Sequence, residues 1–125
     1  MNKYFALKIK DKTFTLCFNM ICTEQLGKLL KCDPMPDAIK DGLIAMNDRS
    51  SFLMYKCIIY AGILGNDYIS SFEPSVTQEE VGELIVGCSA EQLKDLFETL
   101  TTELGYNLNL EVLGDEKAVD SKKKA

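Results

Sequence analysis

Apolar and polar residues alternate at the start of the chain. In YFALKIKDKTFTLCF, Phe5, Leu7 and Ile9 fall on one face, and Phe14, Leu16 and Phe18 do so again beyond Asp11 and Lys12. A period of two predicts strands from Tyr4 to Lys10 and from Thr13 to Phe18, joined by a turn at Asp11 and Lys12 into an antiparallel hairpin with one apolar side. A lone hairpin is marginal in water, so helices must cover that side, or strands from another chain must extend it.

The spacing then becomes helical. TEQLGKLLK sets Leu26, Leu29 and Leu30 on one side, with Asn19 or Thr23 as cap, and should end at CDPMP. DAIKDGLIAM places Ile39, Leu43 and Met46 along a second helix, weakened by Gly42 at about 1 kcal/mol relative to alanine. Eleven of the fourteen residues from Ser51 to Leu64 are apolar, with Ser50 or Ser51 as cap and Gly65 and Asn66 as a stop. A helix apolar nearly all round, yet too short for a bilayer, belongs at the centre of a domain.

Two further helices carry a capping box each, Thr77 with Glu80 and Ser89 with Gln92. The first has a stripe of Val81, Leu84 and Ile85. The second sets Leu93, Leu96, Phe97, Leu100 and Leu104 on one side, Glu91, Asp95, Glu98 and Thr102 on the other, and ends at Gly105. Beyond it Leu108, Leu110 and Val112 alternate within YNLNLEVLG, which suits a short third strand. The pattern predicts an α+β fold: an N-terminal β-hairpin packed on a mainly helical domain of about four to five helices. Residues 1–113 make a single domain, and 114–125, with little to bury, a disordered tail.

A length of 125 residues with 46% apolar content suits one core. No run approaches a membrane span and the N-terminus lacks a signal-peptide pattern, so the expected place is the cytoplasm. Cys17, Cys22, Cys32, Cys57 and Cys88 are odd in number, lack C-x-x-C spacing and mostly occupy apolar positions, the pattern of reduced packing residues. With no histidine in the chain, metal and thiol-nucleophile chemistry have little to draw on. No catalytic, cofactor-binding or metal-binding residue is assigned, and no enzyme activity is expected.

Charge is uneven. Net charge is −5, yet residues 66 to 113 hold one lysine against ten acids while residues 1 to 65 hold an excess of bases. Nucleic-acid binding wants a basic stripe with aromatic or amide readers, so it is not expected. The acidic half is either a solvating face or a surface that attracts a basic partner. Glu91, Asp95 and Glu98 are the candidate partner-binding residues. Their like charges at helical spacing mildly oppose the helix, so they are not there to stabilise it.

The succession of hairpin, short helix ending in a D-P turn, nearly all-apolar helix and capped acidic helix pair resembles the small tail assembly chaperones of long-tailed bacteriophages and prophages. KDKTFTLCFNMICTEQLGKLLKCDP is similar to the opening of one such group, and YKCIIYAGILGNDY and VTQEEVGELIVGCSAEQLKDLFETL to its middle and end. The resemblance spans about residues 3 to 105 and rests on element order and loose patterns. No family binding motif transfers residue by residue.

The resemblance implies a non-enzymatic role without cofactors. Such a protein binds the tape measure protein, keeps it soluble and helps recruit tail tube protein. It works in the host bacterial cytoplasm and is absent from the mature virion. The hairpin edge offers a route to a homo-oligomer. The alternative is a small cytosolic regulatory or adaptor protein that binds one protein target through the same acidic helices.

Overall fold

The hairpin does not stand alone, because its apolar side lies on a long central helix. The structure, a computed structural model, describes residues 4–70 and 73–108, the last five as backbone only. Strands β1 (Tyr4–Ile9) and β2 (Lys12–Cys17) pair antiparallel with Leu7 opposite Phe14 and Phe5 opposite Leu16, so the expected apolar residues do share a face. Leu7, Ile9, Leu16 and Phe18 are buried, and Phe5 and Phe14 are half-buried at the margin. The turn is one residue earlier than the spacing suggests, at Lys10 and Asp11. Lys10 adopts a φ of 59°, a left-handed conformation that side chains other than glycine, asparagine and aspartate seldom take.

Five helices follow. They are α1 (Met20–Leu30), α2 (Pro36–Arg49), α3 (Ser51–Ser70), α4 (Gln78–Val86) and α5 (Ala90–Leu108). Asn19 caps α1, its Oδ1 accepting from the Cys22 N–H at 2.9 Å. Lys31 ends α1 in the left-handed conformation, φ 57°, with the Cys32 N–H returning to the Gly27 carbonyl. Glycine holds that conformation without the Cβ penalty. Lys31→Gly is therefore expected to raise stability by about 0.5–1 kcal/mol in urea unfolding. Pro36 opens α2 at its first turn, where a missing N–H costs nothing. Gly42 neither shortens nor stops α2. Its bare backbone admits Leu30, whose Cβ would lie 3.2 Å from an added Cβ.

α3 is the expected core helix, with Met54, Ile58, Ile59, Ala61, Ile63 and Leu64 all essentially inaccessible. Gly65 and Asn66 do not end it, since it runs on to Ser70. Gly62 and Gly65 form a shallow stripe that receives β2 and the start of α1. A Cβ on Gly62 would come within 2.8 Å of Leu16 and Phe18, and one on Gly65 would overlap the Cys17 carbonyl oxygen. The Asn19 Nδ2 donates to the Gly65 carbonyl at 3.2 Å, so one side chain ties the cap of α1 to the middle of α3.

Gly105 does not end α5, and Tyr106 to Leu108 are helical, not part of a third strand. The rest of that expected strand, 109 to 113, and the expected tail, 114–125, lie outside the described residues. Among the described residues the sheet has two strands. The observed architecture is α+β, a hairpin followed by five helices.

Candidate functional site

α5 carries the candidate residues, and local chemistry at its start fixes where it begins. The Gln92 N–H donates to the Ser89 Oγ at 3.2 Å while the Ser89 N–H donates to the Gln92 Oε1 at 2.8 Å, the expected capping box. Thr77 and Glu80 make the same exchange at α4. The inward side of α5 buries Leu96 and Leu100. Phe97 stacks on Tyr55 of α3 with ring centroids 3.8 Å apart and planes 8° from parallel. The Tyr55 hydroxyl shares a 3.1 Å hydrogen bond with the Thr101 Oγ1, whose own hydroxyl reaches the Phe97 carbonyl at 2.8 Å. These contacts set the rotation of α5 about its axis.

That rotation turns Glu91, Asp95, Glu98 and Thr102 outward, and all four are exposed. Asp95, Glu98, Thr99, Thr102 and Glu103 border a shallow surface depression. The stripe expected from spacing is thus a contiguous surface feature. Not every acid in the charge-rich half belongs to such a surface. Asp67 is only 8% exposed, and its Oδ2 accepts from the Ser75 N–H at 2.7 Å and from the Ser75 hydroxyl at 2.8 Å. It holds the segment before α4 against α3. Its pairing across eight residues of irregular chain leaves no periodic mark in the sequence.

A second feature adjoins the stripe. Between β1 and α5 runs an open groove of about 450 Å³, with Ala6 to Lys10 as one wall and Gln92, Asp95, Leu96 and Thr99 as the other. The four α5 residues lie three and four apart, hence on one side of the helix. Leu7, Ile9 and Leu96 border the groove, but their side chains are buried in the core. Sequence reasoning missed this groove because nothing local tells which strand will lie beside α5. Lys10 explains part of the placement. Its Nζ sits over the C-terminal end of α4, so close that a Cβ on Gly87 would approach it to 2.7 Å. An ammonium there meets the carbonyl end of the helix dipole, which offsets the strained turn.

The thiols contribute packing. All five cysteines are free, with Cys17, Cys22 and Cys57 buried and Cys32 and Cys88 half-buried. Burial, with Cys17 adjacent, pushes the Cys22 thiol far up from its ordinary range, and burial also raises Cys57 against a small opposing effect of Lys56. Among the described residues no group of three or more acidic, cysteine or histidine side chains is placed to hold a metal ion. Titration of the denatured, unreduced protein should find five thiols. In the native protein only Cys32 and Cys88 should react early, and fewer than five after denaturation would contradict this assignment.

No protein-family model, curated protein or solved structure matches the chain. No helix among the described residues is long and apolar enough to cross a membrane.

Proposed function

We propose that this chain is a non-enzymatic tail assembly chaperone of a phage or prophage. It binds the tape measure protein in the host bacterial cytoplasm, keeps it soluble, helps recruit tail tube protein, and does not enter the mature virion. The observation that carries the reading is the outward stripe of Glu91, Asp95 and Glu98 on a helix whose other side is docked into the core. Like charges at the spacing of Asp95 and Glu98 mildly oppose the helix, while Glu91, in its first turn, favours it. The succession of hairpin, central helix and capped helix pair supports the same reading, because it is the order in which the chain resembles such chaperones.

Exposed charge mainly sets encounter rate and specificity, whereas apolar contact sets lifetime. Replacing Glu91, Asp95 and Glu98 by lysine should therefore slow association with the tape measure protein by about tenfold or more at low salt. Stability should move by only about 0.5 kcal/mol per site. Association rates against salt concentration, with urea unfolding of the same variant as control, check both. Unchanged rates would remove the acidic stripe from the binding surface. A regulatory or adaptor protein would use the same stripe toward a different target, and the position of the gene relative to a very long tape measure gene separates the two.

A further inference from the structure

α5 buries little for its length. It has nineteen residues, yet among residues 90–103 only Leu96 and Leu100 are buried, whereas α4, with nine, buries Val81, Gly82 and Ile85. α5 packs chiefly on α3 and β1, and the open groove along β1 leaves one of its flanks uncovered. The further hold is a single clasp, Phe97 stacked on Tyr55 and Thr101 bonded to the Tyr55 hydroxyl. An element with few buried apolar contacts opens at a lower free energy than the whole fold. The join to α4 suits that movement. Its α4 side is anchored, with the Cys88 N–H donating to the Ile85 carbonyl, the Cys88 thiol to the Leu84 carbonyl, and the Lys10 Nζ beside Gly87. The cap of α5 is made by Ser89 and Gln92 without help from the core, so α5 can pivot at Ser89 as an intact helix.

We propose that α5 is a lid over an apolar seat on α3 and β1, and that a helix of the partner takes this seat when α5 lifts. The closed chain offers such a partner little apolar surface. Its exposed large apolar side chains, Tyr4, Met20, Met35, Ile69 and Val86, lie singly on β1, α1, the cap of α2, α3 and α4, so no element among the described residues shows two of them. The seat's present occupant defines the chemistry of the other. α5 turns Leu93, Leu96, Phe97 and Leu100 to the core, at i, i+3, i+4 and i+7. The partner helix repeats that apolar spacing, with an aromatic ring where Phe97 meets Tyr55. Glu91, Asp95 and Glu98 ride on the lid, so a partner drawn to them arrives at the element that must move. The proposal deepens the chaperone reading and rests on it only for the identity of the partner.

The probe is a fluorescent peptide of residues 89–108, added to the full chain. Only open molecules can bind it, so its apparent affinity is reduced by the open fraction. Phe97→Ala in the chain, with Phe97 kept in the peptide, weakens the lid and leaves the seat intact. Fluorescence anisotropy should then show binding at least tenfold tighter than to the parent, and Thr101→Val, which loses only the bond to Tyr55, should give at least a twofold gain. In the parent, α5 amides should exchange with deuterium at least tenfold faster than those of α3, and the gap should widen in both variants. Equal peptide binding by the parent and both variants would overturn the proposal. So would α5 and α3 amides that exchange together in the parent, or α3 protection lost along with that of α5 in Phe97→Ala, since lid and core would then be one unit. If the peptide behaves as stated but the tape measure protein binds neither parent nor variants, the lid stands and the chaperone reading falls. If the tape measure protein binds and the peptide results fail, the reverse holds.

Discussion

Gly65→Ala is expected to destabilise the protein by about 3 kcal/mol, at the upper end of the cost of overpacking a core. An added Cβ would overlap the Cys17 carbonyl oxygen and lie 2.9 Å from the Asn19 Oδ1. Neither obstacle can rotate away. The first is backbone at the end of β2, and the second is the cap of α1, already committed to the Cys22 N–H while its Nδ2 holds the Gly65 carbonyl. Relief requires β2 and α1 to lift off α3 together, which opens the most buried part of the core. Gly82→Ala is the matched control. There the nearest atom is the Lys56 Cδ at 3.2 Å, on a flexible side chain, so the helix gains alanine propensity and stability should rise by up to about 1 kcal/mol. Urea unfolding of the two variants beside the parent checks the contrast, and a Gly65→Ala protein as stable as the parent would refute the close approach of β2 to α3.

The second large effect is expected at Tyr55. Its side chain is 4% exposed, stacks on Phe97 and hydrogen-bonds Thr101, so one residue of α3 makes both aromatic and polar contact with α5. Tyr55→Ala should cost about 3–4 kcal/mol, the range for deleting a large buried aromatic side chain. Tyr55→Phe keeps the stack and loses only the hydroxyl bond, for a cost of about 1 kcal/mol. The alanine variant should also speed amide exchange in α5 well before global unfolding, because α5 then loses what fixes its rotation. Since that rotation presents Glu91, Asp95 and Glu98, partner binding should weaken more in Tyr55→Ala than in Tyr55→Phe. Equal losses of stability in the two variants would show that the hydroxyl, not the ring stack, holds α5.

What the sequence discloses is what depends on near neighbours. The hairpin follows from alternation over Phe5 to Phe18, and the starts of α4 and α5 follow from capping boxes complete within four residues. The outward position of Glu91, Asp95 and Glu98 follows from helical spacing alone. The misread features depend on partners distant in the chain. Gly65 looks like a helix stop, but its role is to let the end of β2, over forty residues earlier, lie against α3. Gly105 looks like another stop, and the helix passes through it, because glycine weakens a helix without forbidding it. Asp67 counts toward the acidic excess, yet its carboxylate is spent on Ser75. The groove beside β1 is the most hidden feature, since it exists only once the hairpin has chosen which edge faces α5.

The proposed binding of a tape measure protein is measured by gel filtration with light scattering of the two proteins expressed together. The tape measure protein should become soluble, both proteins should elute in one peak, and the complex should weaken when Glu91, Asp95 and Glu98 are replaced by lysine. A tape measure protein that stays equally insoluble with and without this partner, with this chain eluting alone, would contradict it.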